Sequence, residues 1–370
     1  MKQRIIEGRA SYAELGSVLG AIGCKKYLLV YTNSAKKLPI WEHLESLGIP
    51  YLLFSGFTPN PKYEEIEEGV ALFNSEGCDA VVAVGGGSAI DVAKCIKLYA
   101  KMSNDELYLN QEYVDTGISL VAIPTTAGTG SESTPFSVIY YKGEKQSVHH
   151  SSILPDVAIL DPDVLEGLPL YQKKCTMLDA LCQAIESWWS VKSTAESREY
   201  AKEAVCRIVA SLEEYLNENT PEARREIMLG SNLAGRAICI TSTTAPHAMS
   251  YKLTTTYSYP HGHSVAISLP RVWRYMLENT EKCNDKRGSD YLVSVFEDIA
   301  HAMGYSNAKE AADGFEEMLD RLGIAYPCDE KREEMAQYFA DSVNTLRLGN
   351  NPVSLDNFAL YQLYKGMIKS

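Results

Sequence analysis

The sequence predicts an α/β domain built on a parallel sheet, followed by an all-helical domain. Three observations lead there. Up to about residue 161, short apolar runs alternate with segments of helical spacing, the rhythm of βαβ units whose helices cover a parallel sheet. Beyond Asp161-Pro162 the apolar runs stop and long helical patterns follow one another. At 370 residues the chain is long enough for two domains. The division is set at residues 1–161 and 162–370, and a cleft between two such domains is a natural ligand site.

In the first domain, residues 27–31 (YLLVY), 51–54, 80–84 (AVVAV) and 120–123 are short apolar runs of the kind that form strands buried on both faces. Between them, 34–47 has helical spacing and stops at Gly48. Residues 61–75 read as a helix with Pro61 in its first turn, and 89–99 as a third helix. In the second domain the spacing predicts helices over 171–190, 195–216, 222–239, 290–303, 308–322, 331–346 and 355–368, with Ser354 as N-cap of the last. There is no internal repeat and no low-complexity tract.

The net charge of −13 gives no electrostatic basis for binding nucleic acid or an anionic membrane. An anionic substrate would need basic groups gathered locally. Nine cysteines are scattered without a CxxC spacing, so free thiols are expected rather than a disulfide framework. The opening MKQRIIEGRAS lacks the apolar core of a secretory signal, and no run of about 18 apolar residues could span a bilayer. A cytoplasmic protein acting on a small molecule is the expectation, with neither nucleic acid nor membrane as partner.

Two loops are suited to a dinucleotide. Gly85-Gly86-Gly87-Ser88 joins the 80–84 run to a helix. Glycine lets backbone approach a pyrophosphate closely, and a helix N-terminus offers free N–H groups. It is not the GxGxxG fingerprint, and a tight strand–helix turn explains it equally well. The second loop, IPTTAGTGSE over 123–132, supplies glycines and the hydroxyls of Thr125, Thr126, Thr129 and Ser131. Two such loops after neighbouring strands favour a dinucleotide site over a pair of surface turns.

Further on, Asp179 and Gln183 are one helical turn apart in DALCQAIESWWS and Glu186 continues their face. His247 lies in TTAPHAMSY and His261 in YPHGHSVAISLP. A carboxylate with imidazoles suits Fe2+ or Zn2+. Spacing alone is weak support, since a histidine in a helical domain is more often a core or surface residue. His43, His149, His150, His263 and His301 are read that way.

Taken together these segments resemble the iron-containing (group III) alcohol dehydrogenase family over nearly the whole chain. The resemblance runs through Pro59-Asn60-Pro61, GGGSAIDVAK from Gly85, IPTTAGTGSE from Ile123, LPDVAILDPDVL from Leu154, DALCQAIES from Asp179 and PHGHSVAISLP from Pro260. It implies a Rossmann-like first domain and a helical metal-binding second domain, the dehydroquinate synthase-like architecture, with a homodimer or larger oligomer. It implies a divalent metal, usually Fe2+ and sometimes Zn2+, held by one Asp and three His. Asp179, His247 and His261 match three of these positions, and the fourth falls on Gln183, whose amide oxygen is a weaker ligand than imidazole. Where the family commonly has a proton-passing His, this chain has Tyr251, whose phenol either donates to a developing alkoxide or only lines the pocket. The match sets Gly85, Gly86, Gly87 and Ser88 at the pyrophosphate and Asp91, Thr125, Thr126 and Thr129 towards the nicotinamide. Lys145 falls near a ribose and Asn60 among the other cofactor contacts. Thr32 stands where NAD-preferring members carry an acid for the adenosine 2′-hydroxyl. A neutral residue there accepts NADPH as well as NADH.

Gln183 and the Tyr251 motif APHAMSY together resemble the branch of this family that reduces phosphonoacetaldehyde to 2-hydroxyethylphosphonate. A phosphonate needs Arg, Lys, hydroxyls or a helix N-terminus. Arg236 and Lys252 are the candidates, with Lys192, Arg198 and the hydroxyls of 241–244 near them in sequence. Each basic residue taken singly also reads as a solvated surface group. The alternatives are a reductase for an uncharged aldehyde such as butyraldehyde or lactaldehyde, a dehydroquinate synthase-like lyase, and a binding protein without turnover.

Overall fold

The computed structural model describes residues 3–344 and 348–369. Leu346, the expected end of the 331–346 helix, lies outside the described residues. The chain falls into two compact units, Met1–Leu168 with Asn219–Met228, and Pro169–Glu218 with Leu229–Ser370.

The first unit holds a six-stranded, all-parallel sheet made of β1 (Arg4–Glu7), β2 (Tyr27–Tyr31), β3 (Tyr51–Phe54), β4 (Ala80–Gly85), β5 (Ser119–Pro124) and β8 (Val157–Leu160), in the order β1-β8-β5-β4-β2-β3. An antiparallel hairpin, β6 (Phe136–Tyr141) and β7 (Glu144–His149), stands apart from it. Strand alternation divides the core. Leu28, Val30, Val81, Ala83, Leu120 and Ala122 face α3 (Tyr63–Ser75) and α4 (Gly87–Tyr99). Their neighbours Tyr27, Leu29, Val82, Val84, Val121 and Ile123 pack with α1 (Leu15–Ala21) and α2 (Ile40–Ser46). The two-sided burial is what makes these strands read as unbroken apolar runs.

Two expected helices are corrected. The 34–47 segment is a short 3-10 turn, Asn33–Lys37, followed by α2. Pro39 forces Leu38 into extended backbone (φ −91°, ψ 149°) and interrupts the helix. Pro61 lies ahead of α3, which starts at Tyr63, where Glu65 accepts from the Lys62 backbone N–H at 2.8 Å.

Among the described residues nine helices follow: α5 (Leu170–Trp189), α6 (Ala195–Asn217), α7 (Pro221–Thr241), α8 (Ala245–Tyr257), α9 (His261–Glu278), α10 (Ser289–Ala302), α11 (Ala308–Leu322), α12 (Arg332–Ser342) and α13 (Asn357–Met367). The first turns of α7 group with the first unit, where buried Arg224 donates to Asn219 O and Asp163. Among its described residues the second unit has no strand, only two isolated bridges. The last helix is capped by Asp356, which accepts from Ala359 N at 2.7 Å, rather than by Ser354. Among the described residues no helix is long and apolar enough to cross a membrane. None of the nine cysteines is in a disulfide.

Candidate functional site

In the second unit α5 carries Asp179, Gln183 and Glu186 on one face, all buried. Isolated acids in an apolar helix face are costly unless something meets them. Two helices that the sequence did not announce meet these. His247 is the third residue of α8 and His261 the first of α9. One ligand atom each from Asp179, His247 and His261 lie within 4.8 Å of one another. The two imidazoles stand edge to face at 5.3 Å between centroids.

The seat of α9 depends on Gly262. A Cβ there would fall 1.9 Å from the Cys175 carbonyl oxygen and 2.8 Å from Asp179 Cβ. Only glycine lets the start of α9 press against α5 and carry His261 to Asp179.

His247 is oriented by Glu186. Its Nδ1 donates to Glu186 Oε1, while Glu186 Oε2 accepts from Thr244 N at 2.7 Å and Thr244 Oγ1 at 2.9 Å. Thr244 is also held by Trp189 Nε1 at 2.9 Å. With Nδ1 committed, His247 Nε2 faces Asp179 Oδ1 at 3.3 Å. Both atoms are buried and neither has a hydrogen-bond partner among the described residues. Two acceptors turned on each other in a dry place call for a positive charge between them. Burial works against charging His247, but the Glu186 and Asp179 carboxylates outweigh it and raise its pKa to about 9. A divalent cation fits the same position better, because Asp, His and His are a donor set for Fe2+ or Zn2+.

The Tyr251 ring lies parallel to the His261 ring, 5.9 Å away. Lys252, the next residue of α8, is exposed. Arg236 places its guanidinium over the Tyr200 ring, 4.0 Å from the centroid, and donates to its hydroxyl. The hydroxyls of Thr241 and Thr244 serve the fold, donating to Ser187 Oγ and to Glu186. His263 lies between Tyr171 Oη and Ala325 O, 2.8 Å from each, and stacks on Tyr259. It is a satisfied core residue.

In the first unit β4 ends at Gly85 and α4 begins at Gly87. The glycines make room for threonines. A Cβ on Gly85 would lie 3.1 Å from Thr32 and 2.6 Å from Ala89 Cβ, one on Gly86 3.3 Å from Thr126, and one on Gly87 2.9 Å from Thr129. Thr32, Gly85, Gly86, Gly87, Thr126 and Thr129 are thus gathered at one turn, with Ser88 in the first turn of α4. Thr125 N bonds Gly85 O at 3.0 Å. Asp91 accepts from Ser131 Oγ at 2.6 Å and from Val138 N at 2.9 Å, tying α4 to the 123–132 loop and to β6. Burial raises its pKa against the pull of Lys94. Lys94 itself is fully buried and donates to Ser131, Thr134 and Phe136 O. Lys145, on β7, pairs in register with Tyr140 and lies near enough to Asp91 to favour its charge. Asn60 stands in the exposed turn after β3 in left-handed backbone, φ 61°.

Family models decide what scaffold this is. Residues 2–162 match "Iron-containing alcohol dehydrogenase" and 174–368 match "Fe-containing alcohol dehydrogenase family, C-terminal". The chain belongs to the iron-containing alcohol dehydrogenase family. It is therefore an oxidoreductase acting on alcohols or aldehydes, and the family implies NAD(H) and a divalent metal. Phosphonoacetaldehyde reductase of Streptomyces viridochromogenes is 31% identical over 299 residues, covering 77% of this chain and 75% of its own length. The 1,3-propanediol dehydrogenase of Citrobacter freundii is 31% identical over 364 residues, 93% of each chain. The crystal structure of sulfoacetaldehyde reductase from Bifidobacterium kashiwanohense, in complex with NAD+, superposes with a TM-score of 0.89 at 25% identity, over 99% of this chain and 96% of that one.

The sequence alone did not reveal what Glu186 or Lys94 does. The signal for both was a charged residue inside an apolar helix, a place where charge is kept only if it is paired.

Proposed function

We propose that this dehydrogenase reduces a small anionic aldehyde to a primary alcohol, phosphonoacetaldehyde to 2-hydroxyethylphosphonate, with NADH or NADPH as hydride donor. The observation that carries the chemistry is the convergence of buried Asp179 and His247 with half-buried His261 on one point. The substrate rests on two similar proteins named for aldehydes that bear a phosphonate or a sulfonate.

Asp179, Gln183, His247 and His261 would hold the cation, Fe2+ first and Zn2+ as the alternative. Bound there, it would supply Lewis-acid polarisation of a carbonyl. Gly85, Gly86, Gly87 and Ser88 receive the pyrophosphate at the start of α4. Thr125, Thr126, Thr129 and Asp91 line the nicotinamide end, with Lys145, Asn60 and Thr32 on the rest of the dinucleotide. Tyr251 Oη gives the proton that the product oxygen needs once hydride has reached the carbonyl carbon. Lys252 and Arg236 are the cationic groups for the substrate's anion. Nine cysteines outside any disulfide suit a reducing, cytoplasmic setting, and a homodimer or larger oligomer goes with the reading.

The test is elemental analysis of the purified protein combined with NADH and NADPH oxidation on phosphonoacetaldehyde, sulfoacetaldehyde and butyraldehyde. The expected result is stoichiometric metal and the highest kcat/KM on phosphonoacetaldehyde. A clear preference for butyraldehyde overturns the substrate and favours the second reading, a reductase for uncharged aldehydes. That reading draws on the 1,3-propanediol dehydrogenase likeness, which covers more of the chain. Absence of both metal and turnover removes the chemistry as well.

A further inference from the structure

We propose that Glu186 is a positioning residue that fixes the tautomer of His247 and thereby sets the affinity of the site for its cation. The inference rests on the metal reading above and concerns a residue that supplies no ligand atom itself.

Glu186 is completely buried, and its two oxygens face different partners. Oε2 takes the Thr244 backbone N–H and the Thr244 hydroxyl. Thr244 is the N-cap of α8, yet its own side chain caps nothing. A carboxylate from α5 therefore serves the start of α8, where free N–H groups and the positive end of the helix dipole favour negative charge. Oε1 takes the proton of His247 Nδ1. One side chain thus seats the helix and orients the imidazole that the helix carries.

The tautomer follows from the chemistry of the acceptor. A carboxylate can only accept, so the ring proton must stay on Nδ1 and the Nε2 lone pair must face Asp179 Oδ1. Such a partner also raises the basicity of a ligand imidazole, and its loss costs metal sites about 10- to 100-fold in affinity. The effect matters more here than in a site with three histidines, because the fourth position is the weak donor Gln183.

Replacing Glu186 with Gln separates the two duties without changing shape. The amide oxygen is claimed by the two Thr244 donors, so the NH2 group turns to His247 Nδ1. Nδ1 then becomes an acceptor, its proton moves to Nε2, and the lone pair that should hold the cation is lost.

The experiment is Co2+ titration of the metal-stripped chain, followed by its visible absorption, with the His247 tautomer of the Zn2+-loaded chain read from long-range 1H–15N correlations. Glu186→Gln is expected to weaken Co2+ binding by about 10- to 100-fold while the metal-stripped protein melts near the unmodified temperature. Thr244→Val, which removes one donor to the same carboxylate, should lower the melting temperature and leave Co2+ affinity within about twofold. The unmodified Zn2+-loaded chain must show the proton on Nδ1. That reading needs no variant and still tests the proposal if Glu186→Gln does not fold. Equal Co2+ affinity in Glu186→Gln, or a proton on Nε2 in the unmodified loaded chain, overturns the role of Glu186 while the metal site stands. An unmodified chain that binds neither ion overturns the metal reading and this inference with it.

Discussion

At the β4–α4 turn the surface offered to the proposed dinucleotide is backbone, supplied by consecutive residues and kept bare by three glycines against Thr32, Thr126 and Thr129. At the Asp179 cluster it is side-chain atoms, supplied by α5, α8 and α9 from three distant stretches of chain. The first is damaged by adding atoms and the second by removing them. That difference dictates how each should fail when probed.

The largest effect is expected on the side-chain site. His261→Ala removes a donor at the first residue of α9, and with it the electrophile, worth several kcal/mol of barrier. Turnover should fall by about 10³-fold or more, while NAD(P)H binding, measured by nicotinamide fluorescence, stays within about twofold. Parallel loss of both would break the contrast between the sites. Next is Tyr251→Phe. Without its hydroxyl, kcat should drop by about 10²-fold if Tyr251 passes the proton, with metal content unchanged. An unaltered kcat assigns Tyr251 to ring packing on His261 alone.

Gly87→Ala tests the backbone site from the opposite direction. Its Cβ would press on Thr129 at 2.9 Å, and overpacking of that kind costs about 1–3 kcal/mol. KM for NAD(P)H should rise about tenfold with metal content untouched, and the double variant Gly87→Ala/Thr129→Ala should recover much of it. The smallest change is Gln183→His, where imidazole replaces the amide oxygen. Co2+ binding should tighten by about tenfold. No change would mean that position 183 does not reach the cation.

The two sites also differed in how legible they were. The glycine turn is contiguous, so its residues and the strand and helix around it could be read directly. Thr126 and Thr129 could be named from the make-up of the 123–132 loop and Thr32 through the family resemblance, but their packing on those glycines is a tertiary contact that no local pattern shows. Asp179, His247 and His261 were named through motifs, while the helices that carry the two histidines were missed. Ser258 in left-handed backbone and Pro260 break the segment between α8 and α9, and the threonines of α8 dilute its helical spacing. The β6–β7 hairpin was missed because its turn is Lys142-Gly143, both at positive φ. That tight turn is usually signalled by Asn or Asp before the glycine. Glu186 lay in plain view on the right face of α5, but its partners sit at the start of a helix nearly sixty residues on.

The contact of Gly262 with the Cys175 carbonyl bears on assembly. Because the two residues come from helices far apart in sequence, the chelating geometry does not exist in any local fragment of the chain. Asp179 and His261 become neighbours only when α9 docks on α5. Metal capture is then a late event in folding, and its thermodynamic weight falls wholly on the docked state. Added cation should slow unfolding while leaving the early formation of helices at its metal-free rate.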